Sequence, residues 1–269
     1  YELVKEKDIY QAFLNKTCNQ HKNSHLFSNL SVLASNLLNS VLVPFLIVFS
    51  VIFDNSFFAG EIGIYPGIVL LLTQVFSANA RSLLLYNRDR SFYDQAISLR
   101  FYLGLLIVLI LSIYQFHFYY NENFTTLFIL SFIVYISWIN EINLAIHEKN
   151  RSSFFIKFFL IISVIFYFLI IADYVLENEN LLKILKLYLC FHILFFLYHI
   201  NFLNFNIKKS TKYFQNQFKE YLSFASSFFN IIAVIIWRIS LVLLLGKSTA
   251  GLFFASFAIA SFPGTVFNN

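Results

Sequence analysis

Eight stretches of this chain, at roughly residues 26–50, 58–85, 99–120, 125–147, 153–175, 181–206, 221–245 and 249–269, are almost continuously apolar. Each approaches or exceeds the roughly 20 residues that an α-helix needs to cross the hydrocarbon of a bilayer. In lipid every backbone N–H and C=O must be satisfied within the segment, so each stretch is expected to be a helix. The composition closes the other routes. Hydrophobic residues make up 59% of the chain and charged residues 12%, and Phe supplies 36 of 269 positions. A soluble core of this size has no room for so much apolar surface, and a disordered chain would be polar and poor in aromatics. The expected class is therefore an all-α polytopic membrane protein.

Polar clusters mark the ends of the segments, among them Asp54-Asn55-Ser56, Asn121-Glu122-Asn123 and Glu148-Lys149-Asn150-Arg151. Lys and Arg divide unevenly between the two sides. Fifteen of the nineteen fall in residues 1–25 or in the second, fourth and sixth connections, while Lys183, Lys186 and Lys247 lie on the opposite side and Arg238 lies inside a segment. That bias places the N-terminus of a multi-pass protein in the cytoplasm. It also explains the net charge of +5 without any nucleic-acid partner. Residues 1–25 are polar and of mixed charge, which is not the pattern of a secretory leader, and are expected to form a cytoplasmic tail. The chain opens on Tyr1, holds no Met and stops within an apolar stretch. It therefore reads as a piece of a longer protein.

The first and seventh segments are related. With an offset of 191 residues, Ala34-Ser35 aligns with Ala225-Ser226, Asn39 with Asn230, Ala59-Gly60 with Ala250-Gly251 and Val75-Phe76 with Val266-Phe267. Six segments separate the copies, so both point the same way across the membrane. This is the parallel repeat of a transporter built from two similar halves. Residues 26–206 then form an N-terminal six-helix bundle, 207–220 a basic cytoplasmic link, and 221–269 the start of a second bundle, with about four further spans expected beyond it.

Segment 1 carries Ser28, Asn29, Ser31, Ser35, Asn36, Asn39 and Ser40 over about half its circumference, and segment 7 repeats the arrangement with Ser223, Ser226, Ser227, Asn230, Trp237 and Arg238. Such faces avoid hydrocarbon and meet either another helix, as small-residue glue, or a wet cavity; their presence on both repeat-related helices favours a central polar cavity. Segment 2 holds Gly60, Gly63, Pro66 and Gly67, a close-packing and kinking pattern. Glu141 lies about 10 Å inside the basic end of segment 4, where a carboxylate wants Arg81 or Arg100 as partner. It reads either as a structural ion pair or as an ion-coupling site. No catalytic or metal motif occurs, and Cys18 and Cys190 sit too far apart in the topology to pair. His117, His192 and His199 show no ligand spacing and read as packing or interface histidines.

With these features together, the chain resembles the polysaccharide-export flippases of the Wzx type. The resemblance rests on Gln74-Val75-Phe76-Ser77-Ala78-Asn79-Ala80-Arg81, on the stretch from Glu141 to Lys149, on Trp237-Arg238-Ile239-Ser240 and on Ala250-Gly251-Leu252-Phe253-Phe254-Ala255. It implies a fold related to the multidrug-and-toxin exporters: two six-helix bundles around a cavity, with eight of twelve or more helices present here. It also implies a lipid-linked oligosaccharide substrate, moved between leaflets on its polyprenyl pyrophosphate, with membrane lipid and a polysaccharide polymerase with its chain-length machinery as partners. No cofactor, metal or catalytic group is expected. The cavity residues expected to meet substrate are Ser35, Asn36, Asn39, Arg81, Ser226, Asn230 and above all Arg238, whose forked guanidinium suits pyrophosphate. The alternatives are a small-solute efflux transporter of the same fold and a membrane glycosyltransferase or polymerase. The outward connections, a few residues long, are short for an active site.

The topology is directly testable. In a cysteine-free background, an impermeant thiol reagent applied to intact cells is expected to label a cysteine at position 178 and to spare one at position 212. The reverse pattern overturns the assignment.

Overall fold

The computed structural model describes residues 31–77, 81, 84–85, 90–118, 123–150, 153–177, 180–200 and 221–268. The tail over residues 1–25, the link over residues 207–220 and Cys18 lie outside them. Among the described residues every regular element is helical: α1 (Ser31–Ile52), α2 (Ser56–Ser77), α3 (Arg90–Phe118), α4 (Phe124–Lys149), α5 (Ser153–Leu176), α6 (Leu181–Ile200) and α7 (Tyr221–Asn268). Seven helices are long and apolar enough to cross a membrane, against the eight expected.

The difference lies at a single residue. The seventh helix carries both of the last two apolar segments, and only Gly246, at φ 80° and ψ 165°, breaks its helical backbone. That region of backbone space is essentially reserved for glycine. A Cβ at Gly246 would meet nothing, so the demand is conformational and not spatial. The spanning part of α7 covers 34 residues, about 50 Å if straight, well beyond a hydrocarbon core of roughly 30 Å. Instead the two arms lie side by side, with the Trp237 ring 6.1 Å from Phe254 and 5.6 Å from Phe257. The two arms match the apolar segments expected over residues 221–245 and 249–269.

The other reversals are equally tight. Between α1 and α2, Asp54 takes a left-handed φ of 58°, and Asn55 caps α2 by accepting the Phe58 N–H at 3.1 Å. Between α5 and α6, Glu177 takes φ 52° and the Asn180 N–H donates to Asp173 Oδ1 at 2.9 Å.

Helix α4 is the centre. It touches α2, α3, α5 and α6, and it is linked to α1 by the Asn39 amide, which donates to the Ser137 carbonyl at 3.0 Å. Its buried side chains run from Leu127 to Ala145 and include Ser131, Ser137, Asn140 and Asn143. The peripheral helices instead present apolar stripes outward: Leu106, Ile110 and Ile113 on α3, and Phe154, Phe158, Ile161, Ile165 and Phe168 on α5. Their spacing of three and four residues is that of one helix face, the face left for lipid.

Lipid tails are as apolar as leucine, so helix association here depends on close fit more than on exclusion of water. The closest fit joins α2 to α7. A Cβ on Gly251 would collide with the Ser56 carbonyl and approach the Gly60 nitrogen, and one on Gly60 would strike the Lys247 carbonyl. A Cβ on Gly63 would enter the Phe254 ring. Gly60 and Gly251 are the repeat-related glycines of the 191-residue offset, and Gly63 and Phe254 are related by the same offset. Equivalent positions thus face each other across this crossing.

The obstacles to Gly251 are backbone atoms and cannot rotate away. Gly251→Ala is therefore expected to lower stability by about 1–3 kcal/mol, read as a lower melting temperature in detergent. Leu252→Ala, at an outward-facing position, should leave it nearly unchanged. Equal melting of the two variants overturns the close-packing account.

Candidate functional site: a polar cavity within the helices

Polar side chains from α1, α2, α4 and α7 converge on a cavity of about 730 Å³. Asn36, Asn39 and Ser40 enter from α1, Thr73, Gln74 and Ser77 from α2, and Ser137, Trp138 and Glu141 from α4. Both arms of α7 close the wall, with Asn230 from the first and Ala260 and Ser261 from the second. Arg81, just beyond α2, lines the basic end. Helical spacing explains the clustering: Asn36, Asn39 and Ser40 share a face of α1, as do Thr73, Gln74 and Ser77 on α2.

Most of these groups are fixed by partners. Asn36 Nδ2 donates to the Val32 carbonyl at 2.8 Å, and Ser40 and Thr73 donate to Leu37 and Leu70 carbonyls at 3.0 and 2.8 Å. Ser77 donates to the Thr73 carbonyl at 2.9 Å and accepts from Trp138 Nε1 at 2.6 Å. The charges are paired as well. Glu141 accepts from Arg100 Nη1 at 2.8 Å, and Arg100 is almost fully buried, donates also to the Trp138 carbonyl and lies 5.0 Å from the Trp138 ring centre. Arg81 pairs with Glu148 at 2.9 Å. Arg100 is thus the partner of Glu141, and Arg81 serves the neighbouring carboxylate.

Of the residues expected to meet substrate, Asn36, Asn39, Arg81 and Asn230 line the cavity, and so does Glu141. Ser35 does not. It is buried and its hydroxyl donates to the Val32 carbonyl at 2.9 Å. Ser226 is exposed on α7, away from the lining.

Arg238 requires a correction, because it lies outside the lining. Its Nη1 donates to the Gly63 carbonyl at 2.7 Å, its guanidinium carbon sits 5.2 Å from the Phe254 ring centre, and it is buried. A Cβ on Gly67 would collide with Nη1. The space left by Gly67 is therefore filled by a guanidinium from α7, as that beside Gly63 is filled by Phe254, and the two tie the helices together. The reading that Arg238 faces the cavity missed this, because nothing in the sequence shows that a carbonyl on another helix stands within its reach.

Three further constellations were not anticipated. At the end opposite Arg81, Glu61 is almost completely buried, accepts from Asn123 at 3.0 Å and pairs with Lys247 at 2.8 Å, while Lys247 Nζ lies 4.8 Å from the Phe57 ring centre. This clasp holds the α7 turn to α2 and the start of α4. In the core, Tyr93 donates to Asn143, Asn143 to Asn140, and Asn140 to the His192 carbonyl, at 3.0, 3.2 and 3.0 Å. At the basic end, His147 and His199 meet nitrogen to nitrogen at 2.6 Å. The only sequence signal for these was that each is a polar residue inside an apolar segment. Among the described residues no three His, Cys, Asp or Glu side chains gather as a metal site.

The two ion pairs differ in what their loss exposes. Glu141→Ala leaves the buried Arg100 without its carboxylate and is expected to cost about 3–5 kcal/mol. Glu148→Ala leaves the more accessible Arg81 and is expected to cost about 1 kcal/mol or less. Thermal unfolding in detergent separates the two, and equal losses contradict the assigned burial.

Comparison with known proteins returned no matching family model, no similar curated protein and no similar solved structure.

Proposed function

We propose that this chain is part of a flippase that carries polyprenyl-pyrophosphate-linked oligosaccharide across a bacterial cytoplasmic membrane during surface polysaccharide assembly. The observation that carries the reading is the cavity. A volume of about 730 Å³, where amides and hydroxyls from four helices stand beside Leu42, Val43, Leu70 and Val134, lies inside a set of helices whose outer faces are apolar. A sugar head group cannot cross hydrocarbon unaided and needs such a polar site, while its lipid tail stays in the bilayer. Translocation forms and breaks no covalent bond, so the reading requires no catalytic group.

The α2–α7 crossing supports the two-bundle part of the proposal. Both α2 and the second arm of α7 run away from the Glu61–Lys247 end, and they meet through residues related by the 191-residue offset. An axis along the membrane normal, relating two halves of a transporter fold like that of the multidrug-and-toxin exporters, brings equivalent residues together in this way. Asn39 and Asn230, equivalent under the same offset, both line the cavity.

The test is complementation of a bacterial strain deficient in lipid-linked oligosaccharide flipping by the full-length gene. The wild type is expected to restore surface polysaccharide. A variant with Asn36→Leu and Asn39→Leu, present at normal membrane level, is expected to restore less than a tenth of it. Full restoration by that variant removes the cavity from the mechanism, and failure of the wild type removes the flippase reading.

A further inference from the structure

The ion pair of Glu141 and Arg100 is turned so that one member faces the cavity and the other does not. The Glu141 side chain lines the cavity and is 29% exposed, whereas Arg100 behind it is 1% exposed. Glu141 Oε2 accepts from Arg100 Nη1 at 2.8 Å, and among the described residues Oε1 has no hydrogen-bond partner and is not enclosed. A carboxylate can accept about four hydrogen bonds. Here it accepts from Arg100 alone, so the cavity contains an ionised acceptor with unused lone pairs that a ligand can reach.

An exposed carboxylate can take a proton, a cation or a neutral donor, and Arg100 decides among the three. Its Nε and Nη2 are buried without partners, and Glu141 holds it together with the Trp138 carbonyl and ring. Glu141 is its only counter-charge among the described residues. A proton taken up by Glu141 would strand a guanidinium at membrane depth, which is expensive. A cation in front of the carboxylate would share it with a second positive charge close behind. A hydroxyl donor leaves the pair whole, and a hydrogen bond to an ionised acceptor is the stronger kind. The rest of the lining suits the same ligand. The exposed Gln74 and Asn230 amides both donate and accept, Leu70 and Val134 offer alkyl surface to C–H groups, and Arg81 is neutralised by Glu148. The volume of about 730 Å³ falls within the roughly 300–1,000 Å³ of small-ligand sites.

We infer that Glu141 is a ligand-contacting residue of this cavity, the acceptor for hydroxyl groups of an uncharged glycan, and that it is not an ion-coupling site. Arg100 is the positioning residue: it keeps the carboxylate charged and aimed at the cavity without itself meeting the ligand. The inference rests on the flippase reading for its choice of glycan over other polyols.

The test uses the purified full-length chain in nanodiscs of phosphatidylethanolamine and phosphatidylglycerol, with tritiated maltotriose as probe in a scintillation proximity assay. Saturable binding is expected, displaced by unlabelled maltotriose. Permethylated maltotriose, which keeps the oxygens and loses every O–H, is expected not to displace it, and neither is putrescine. These comparisons are made on the wild-type chain and do not depend on any variant folding. Glu141→Leu alone leaves Arg100 unpaired, so the variant to measure is the double one, Glu141→Leu with Arg100→Met, because replacing both members of a buried pair by apolar side chains of similar volume is often neutral in stability. It is expected to melt close to the wild type and to bind maltotriose about tenfold or more weakly, the effect of about one lost hydrogen bond to a charged group. A merely structural pair predicts that the double variant recovers binding along with stability. Unchanged affinity in the double variant, displacement by putrescine, equal displacement by the permethylated sugar or absence of saturable binding each overturns the inference. Complementation by the wild-type gene together with unchanged affinity in the double variant sinks this inference and leaves the flippase reading. Hydroxyl-dependent binding that the double variant loses, without complementation, does the opposite.

Discussion

The contact on which the arrangement depends is the approach of α7 to α2 through Gly60, Gly63 and Gly251. In lipid, an apolar side chain gains little by leaving hydrocarbon for a protein interior, so two helices stay together only where their surfaces fit or hydrogen-bond. Glycines let the backbones approach until no Cβ would fit between them. The fit then determines where the rest of α7 lies. Arg238 enters the notch at Gly67, Lys247 reaches Glu61, and Asn230 and Ser261 arrive at the cavity wall. If the crossing slipped by one turn, the last two groups would leave the cavity together.

Charge follows the same economy. The buried or half-buried ion pairs each join different parts of the chain: Arg100 on α3 to Glu141 on α4, Lys247 on α7 to Glu61 on α2, and Arg81 to Glu148 on α4. A lone charge at membrane depth is expensive, and removing one member of a buried pair costs more than the pair itself contributes. Such pairs are better understood as devices that fix which helix meets which. Arg238, which has a carbonyl and a ring as partners, does the same by other means.

What could be read from the sequence follows from the range of the physics involved. Helical spans are local: a run of apolar residues in lipid must form a helix, and the turns at Asp54 and Glu177 fall at polar clusters. The polar face of α1 is also local, which is why Asn36 and Asn39 could be placed at a cavity before any coordinates. The break near Gly246 was legible as the gap between two apolar segments, whereas the backbone conformation that lets a single glycine make the turn was not. The roles of Arg238 and Glu61 were hidden because each depends on a group at a distant point in sequence, Gly63 for one and Lys247 for the other. A polar residue inside a span announces that a partner exists without saying which one.

The polarity of the cavity follows from a general property of helices in lipid. A Ser or Thr hydroxyl on such a helix has a carbonyl of the preceding turn within reach, and with no competing water in the hydrocarbon it donates there. Ser35, Ser40, Thr73, Ser77, Ser112 and Ser256 all do so. A cavity built from hydroxyl-bearing spans is thereby biased toward accepting, and donors must come from amides, guanidinium groups, ammonium groups or indoles. In this chain the Trp138 N–H is engaged by Ser77 and the Asn36 and Asn39 N–H groups by carbonyls, which leaves Arg81 Nε, buried without a partner, and the Gln74 and Asn230 amides as the donors of the lining. Ligand selection in such a site therefore turns less on the number of polar residues than on which of their protons the helices have already claimed.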